Sequence, residues 1–345
     1  MPYLGGSTSL HSLLKKKRKI LYLISGETGF KKTDEEILRS FAVVRKYNYL
    51  NIRDYFNLKI FFDFVWADSL LIWFASKHAI TPVLLNYLFN KPIYIIAGGF
   101  DVANIPTIKY GAMQGGSRSK IGRWLLSRAH NVIAVSKSNR REIIENGKVL
   151  PKKIKLIYNA IPEITPISYN KKKSQVITLG EINEETYLRK GLDRFIEIAK
   201  KMPTIQFIHI GKWTDNKGKP CQRMVKYVKD ISPENIRYLG YVEYDELEKW
   251  FLQSKVYLQL SRHEAFGVSV VEAMRYGCIP VVSNAFALPE VVGNNGYITD
   301  SNIDSTVNII REILKSKFED NNPNILNKDF SIDVRTNLFK ELLIN

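Results

Sequence analysis

Apolar runs of strand length alternate with stretches of helical period along the whole chain. In the first half "KILYLIS" (19–25), "LIW" near 72, "PIYIIAG" (92–98), "NVIAVS" (131–136) and "IKLIYN" (154–159) read as strands. Between them "TDEEILRSFAVVRKY" has a helical period, with Thr33 and Glu36 at capping-box spacing. "SKSNRREIIENG" is a further helix, opened by Ser136 and closed by Gly147. The second half restarts the alternation with "QVITLG", helix "GLDRFIEIAKKM", "IQFIHIG", a helix near "CQRMVKYVKDI" and "IRYLGYV". It continues through helix "YDELEKWFLQS", "VYLQL", helix "GVSVVEAMRYG" and "IPVVS". This order predicts an α/β protein with parallel sheets, arranged as two Rossmann-like, doubly wound domains.

The break between the halves falls at "EITPISYNKKK", which has proline and basic residues and no period. The expected organisation is an N-terminal domain over 1–160, a linker over 161–173 and a C-terminal domain over 174–328. A separate amphipathic helix, "FSIDVRTNLFKELL", falls within 329–345. A length of 345 residues suits two domains of ordinary size. With 45% apolar and 25% charged residues the chain is globular rather than disordered.

Two cysteines, Cys221 and Cys278, exclude a disulfide framework and a cysteine-rich metal site. The start "MPYLGGSTSLHSLLKKKRK" places its basic cluster after its apolar part, the reverse of a secretory signal, which predicts a cytoplasmic protein. Asp63, Asp68 and Lys77 interrupt the most apolar region, so it does not read as a transmembrane helix, and a membrane-surface helix stays open.

Charge changes the picture. Residues 1–155 hold 26 Lys and Arg against 10 Asp and Glu, whereas residues 156–345 hold 25 against 24. A positive first half fits an anionic partner, whether a phospholipid surface at the inner face of the membrane, nucleic acid or a phosphate-bearing substrate. It equally fits a basic chain with solvated lysines. The run "KKKRK" at 15–19 resembles a nucleic-acid patch, yet it leads directly into the first strand. No aromatic-basic nucleic-acid motif accompanies it, which counts against a nucleic-acid partner.

Candidate chemistry concentrates in "HEAFGVSVVEAMRYGCIPVVSN" (263–284). A helix is expected from about Phe266 or Gly267 to Gly277. Gly267 leaves its first-turn amides open to an anion such as a diphosphate. Glu272 lies one turn in from Val268, and helix side chains lean toward the N-terminus, so its carboxylate can return to the mouth that Glu264 occupies. Two acids repel phosphate but accept the vicinal hydroxyls of a ribose or hexose. Spacing alone leaves three readings open: an acid/base pair, a ligand cradle, or a helix start with one half-exposed glutamate.

"SRHEAFGVSVVEAMRYGCIPVV" resembles the E-x7-E signature of the retaining glycosyltransferases of family 4. "RKGLDRFIEIAKKMPTIQFIHIG", "IRYLGYVEYDELEKWFLQSKVYLQLS" and "AHNVIAVSKSNRREIIENG" followed by "KIKLIYNAIP" are similar to that family in order and spacing. The resemblance covers roughly residues 90–300. It implies a GT-B fold, with a nucleotide-diphospho-sugar bound as co-substrate on the C-terminal domain and a hydroxyl acceptor, such as a lipid-linked glycan, on the N-terminal one. Retention by same-face internal return is implied, with no cofactor and no metal. At matched positions Glu264, Ala265, Phe266, Gly267 and Val268 would hold the donor sugar and phosphate, Glu272 the ribose, and Lys190 the diphosphate. Val242 would lie by the base through its backbone.

Two departures from the family pattern stand out. Glu181 occupies the place of a usual basic residue, so Arg189 either substitutes for it or is a solvent-facing charge. "IIAGGFDVANIP" has no histidine, and its Gly98, Gly99 and Asp101 form either an acceptor-side site or a plain turn. Gly26 and Gly29, in "SGETGFKKTDEEIL", stand where an acceptor-side loop would lie. His78, His130 and His209 read as packed residues, and His263 ranks below Glu264. Two further activities remain open at this point: a polyanion-binding module on a Rossmann scaffold, and another GT-B reaction such as sugar-nucleotide epimerisation.

Overall fold

The computed structural model describes residues 17–162, 172–215, 218–316 and 328–344. Most of the linker at 161–173, most of the polar spacer before the last helix and the start of the basic run fall outside the described residues. Chain order in the first half is β1 (Lys19–Ile24), α1 (Gly29–Phe41), β2 (Val43–Asn48), α2 (Lys59–Trp66), β3 (Ser69–Trp73) and α3 (Ile80–Phe89). Then follow β4 (Ile93–Ala97), α4 (Gly116–Arg128), β5 (Asn131–Ala134), α5 (Lys137–Glu145) and β6 (Ile154–Leu156).

The second half runs β7 (Lys173–Leu179), α6 (Glu184–Arg189), α7 (Leu192–Lys200), β8 (Gln206–Ile210), α8 (Gln222–Ile231), β9 (Ile236–Gly240) and α9 (Tyr244–Gln253). It continues with β10 (Ser254–Gln259), α10 (Val268–Arg275), β11 (Ile279–Ser283), α11 (Leu288–Val292), β12 (Tyr297–Thr299), α12 (Ile303–Lys315) and α13 (Ile332–Ile344).

Each half forms a parallel six-stranded sheet, ordered β2-β1-β3-β4-β5-β6 and β12-β11-β10-β7-β8-β9. Every residue of β3 and β4 is buried, as a central parallel strand covered by helices on both faces requires. Helix α7 shows the matching helical logic: it buries Leu192, Phe195, Ile196 and Ala199, spaced to form one stripe on the sheet. The second sheet has the dinucleotide-binding order, and its strand sequence reverses between β7 and β10; the first reverses between β1 and β3. A reversal opens a crevice at the carboxyl ends of the two strands, because their crossover helices leave on opposite faces.

Two local expectations are corrected. The helix read through Tyr47 ends at Phe41, and "VVRKYN" is an edge strand pairing with β1 from Lys19↔Val43 onward. β-branched Val43 and Val44 favour that extended pairing over a longer helix. Thr33 is no cap: α1 begins a turn earlier at Gly29, and the Thr33 hydroxyl bonds back to the Gly29 carbonyl.

Helix α13 packs on α1 of the N-terminal domain. Its Arg335, 1% exposed, donates to both oxygens of buried Asp34 at 2.6 and 2.7 Å and to the Ile157 and Tyr158 carbonyls. Trp73 Nε1 also bonds Asp34, at 3.0 Å. Phe330, just before α13, packs edge-on against Tyr158 and Phe266, joining both halves in one apolar cluster.

Candidate active site

The crevice of the second sheet collects the strongest chemistry. Lys190 caps the short helix after β7 and Glu264 follows β10. Their side chains meet at 2.5 Å, although 74 positions separate them in sequence. Ser261 Oγ at 3.1 Å and Gln259 Nε2 at 3.4 Å donate to the same oxygen, Oε1. Tyr257 holds the Gln259 amide and the Ser269 hydroxyl, each at 2.8 Å. No hydrogen bond to Oε2 of Glu264 is formed among the described residues.

Burial alone would raise the Glu264 pKa, but the Lys190 and Arg189 charges outweigh it and hold the carboxyl below its usual range. Burial lowers the Lys190 pKa, with Glu264 opposing that shift. Gly191 makes this placement of Lys190 possible: its φ is +73° and a Cβ there would stand 2.1 Å from the Leu260 carbonyl oxygen. Gly191→Ala is expected to destabilise the chain by about 1–3 kcal/mol, checked by urea denaturation.

Gly267, at φ +101°, turns the chain into α10, and a Cβ would press on Leu288 at 3.1 Å. The helix ends at Arg275, followed by Gly277 in the left-handed region. Ala265 and Phe266 are buried, and the Phe266 ring packs between Tyr158 and Phe330. Phe266 therefore anchors the turn to the core through its ring. Val268 is half-buried against the core, as is Val242 on the loop after β9.

The carboxylate of Glu272 has no hydrogen-bond or ion-pair partner among the described residues, and burial pushes it up to about 7. Burial, with the Glu264 and Glu272 charges adding to it, also raises the Tyr257 phenol. Glu272 likewise acts on Tyr244, next to the loop that holds Val242. Glu272 thus lies near Tyr257 and Tyr244, toward the loop after β9.

On the N-terminal side Asp101 is corrected. It is 2% exposed, and its two oxygens accept the Ala75 and Gly99 amides at 2.9 and 3.1 Å. It staples two loops together, and burial lifts it to about 6. A Cβ on Gly98 would run into the Phe74 ring, so that glycine serves packing. Gly99, at φ +129°, lies against the donor-side turn, where a Cβ would stand 2.9 Å from Ala265 Cβ. Gly26 and Gly29 flank the first loop with open space around them.

Several contacts at the cleft carried no local signal. Arg189 stacks on Tyr110 of the opposite domain at 4.8 Å, and Tyr110 also packs on the His263 ring. His263 Nε2 bonds Glu142 Oε1 at 2.9 Å across the domains, both residues buried. The Glu290 carboxylate accepts the Lys137 and Ser138 amides at the start of α5 and the Tyr158 hydroxyl. In the crevice between β1 and β3, Phe74 takes φ +72°, a costly conformation for an aromatic residue. Lys31 stands 5.1 Å from its ring, bonded to the Ser25 and Gly26 carbonyls, and burial lowers its pKa to about 8. Glu181 is exposed and bonds Thr214 and Asn183. Among the described residues no cluster of three or more His, Cys, Asp and Glu forms a metal site.

Two parallel-sheet Rossmann-like domains match the GT-B architecture. Residues 161–329, just under half of the chain, match the model for glycosyl transferases group 1. O-antigen chain mannosyltransferase B of Escherichia coli is 42% identical over 67 residues, 19% of this chain and 18% of its own. The gpi3 subunit of phosphatidylinositol N-acetylglucosaminyltransferase from Schizosaccharomyces pombe is 25% identical, covering 64% of this chain and 52% of its own. The chain spans about half the length, or less, of the first curated relatives it matches. In fold it is similar to Anabaena HepE in complex with UDP and glucose, with a TM-score of 0.73, 16% identity, and coverage of 95% of this chain and 99% of that one.

Proposed function

We propose that this chain transfers a hexose-type sugar from a nucleotide-diphospho-sugar to a hydroxyl of a glycan or lipid-linked glycan, with retention and without a metal ion. The observation that carries the reading is the Lys190–Glu264 pair beside the start of α10, with Glu272 one turn into that helix. In this reading the bond from the anomeric carbon to the diphosphate oxygen breaks, and its electron pair stays on the phosphate. Lys190, Arg189 and the first-turn amides of α10 stabilise that charge. Glu264 Oε2 accepts a sugar hydroxyl, Glu272 accepts the ribose hydroxyls, and Val242 borders the base through its backbone. The acceptor oxygen attacks from the face the phosphate leaves, and a phosphate oxygen takes its proton. Relatives named as mannosyl- and N-acetylglucosaminyltransferases, and a fold neighbour bound to UDP and glucose, support the donor class.

The test screens UDP-, GDP-, ADP- and TDP-sugars for thermal stabilisation, since a ligand that binds only the folded chain raises its apparent stability. One nucleotide class should stabilise, and the anomeric configuration of the transfer product, read by NMR, should match the donor's. An inverted product, or no stabilisation by any of these sugars, overturns the reading.

Glu272 adds a pH signature. Its pKa of about 7 lies above the usual 4.5, so the stability associated with its neutral form is complete below the unfolded value and is lost as pH rises through 7. Ribose hydroxyls need the ionised carboxylate. Donor affinity is therefore expected to fall below pH 7, by at most about tenfold per unit. Glu272→Gln should flatten that dependence and weaken the donor throughout, while stabilising the ligand-free chain at pH 8 by about 1–3 kcal/mol. Calorimetric titration and thermal melts at several pH values check both effects.

A further inference from the structure

We infer that the face formed by α2 and α3 docks on an anionic lipid bilayer. These helices pack on the face of the first sheet opposite α1 and α13. Helix α2 buries Ile60, Asp63 and Phe64 and leaves Phe61, Phe62 and Val65 exposed at 39%, 65% and 45%. Helix α3 has no charged residue and exposes Leu84, Tyr87 and Leu88 at 53%, 58% and 80%. The two sets are continuous, because the Phe89 ring meets Phe61 at 6.3 Å and Phe64 at 5.5 Å. Scattered exposed apolar residues are ordinary, but two adjacent helices that each turn an apolar stripe outward need an occupant.

Charge selects the occupant. Asp63, the only acid in α2 and α3, is turned inward and held by Arg45 and Lys59. Helix α4, beside α3, carries Arg118, Lys120, Arg123 and Arg128 and no acid. The Arg128 guanidinium lies over the Tyr87 ring at 5.1 Å, which places a cation at the rim of the apolar stripe. Apolar side chains rimmed by cations fit acyl chains beneath anionic headgroups. A second copy related by a twofold axis through this patch would bring like-charged rims together without a matching acid. Among the described residues no helix is long and apolar enough to cross a membrane, so the contact is peripheral. This surface lies outside the cleft and stands independently of the donor reading.

The test is co-sedimentation of the full chain with vesicles of phosphatidylcholine alone and of phosphatidylcholine mixed with phosphatidylglycerol. The wild type should pellet with the mixed vesicles and stay largely in solution with the neutral ones. Phe62→Ser with Leu88→Ser should weaken that binding about tenfold or more, with an unchanged melting temperature because both side chains are exposed. Lys120→Gln with Arg128→Gln should weaken it about fivefold per charge and reduce its salt sensitivity. Phe62→Trp should retain binding. A wild type that ignores both vesicles overturns the proposal, as does a serine pair that binds unchanged. A dimer dissolved by the serine pair, without vesicle binding, overturns it in favour of a second copy.

Discussion

Lys190→Ala is expected to lower the rate of sugar transfer by two to three orders of magnitude, roughly the cost of removing one preorganised charge from a developing anion. The ammonium stands 2.5 Å from Glu264 at the crevice between β7 and β10, where the leaving diphosphate would collect its charge. The loss should appear mainly in kcat, because the charge is larger in the transition state than in the bound donor. Glu264→Gln should also cost activity by a different route: the amide still accepts a sugar hydroxyl but no longer balances Lys190. Because the two side chains act as a unit, the double variant should lose far less than the product of the single losses. Steady-state kinetics of the three variants, with circular dichroism to verify folding, decides the matter. Full activity in Lys190→Ala would remove the pair from the mechanism.

The largest stability effect is expected at Arg335. Arg335→Met leaves Asp34, 1% exposed, as a buried carboxylate that keeps only the Trp73 N–H bond. It also strips the Ile157 and Tyr158 carbonyls of a donor. Breaking one side of such a pair costs about 3–5 kcal/mol, more than the net worth of the pair itself. Urea denaturation should show this loss, and adding Asp34→Asn should recover part of it by removing the stranded charge. An unchanged midpoint in Arg335→Met would mean that α13 does not hold the N-terminal domain. The two experiments are separable, since the Arg335 cluster lies beside α1 and the Lys190 pair lies in the other sheet.

Much of the fold was legible in the chain. Most strand cores are short apolar runs and most helices show one apolar stripe, and both patterns arise from burial against an immediate layer. The error at 42–48 shows the limit. "AVVRKYN" continues the apolar period of α1, and only pairing beside β1 makes it a strand. After "IPVVS", α11 and β12 are too short to carry a period, whereas α12 has a clear apolar stripe through Val307, Ile310 and Ile313 that lies beyond the elements expected from the sequence.

For the site, motif order singled out Glu264, Gly267, Glu272 and Lys190, and the structure brings Lys190 and Glu264 into contact. The Asp101 oxygens accept backbone amides, and the Phe266 ring packs in the core.

By itself, then, the sequence determined the alternation of elements, the split into two halves, the asymmetry of charge and the glycine-led helix start, because each depends on neighbours within a few turns of chain. Only the tertiary structure decided that Glu290 reaches 153 residues back to cap α5, that His263 pairs with Glu142, and that Phe74 is held at positive φ beside Lys31. It also decided that Glu272 stands half-buried without a hydrogen-bond partner among the described residues and that one flank of the basic half is apolar. The reason is physical. A side chain's charge state and partners follow from which distant segments exclude water around it, and strand order sets that, not spacing along the chain.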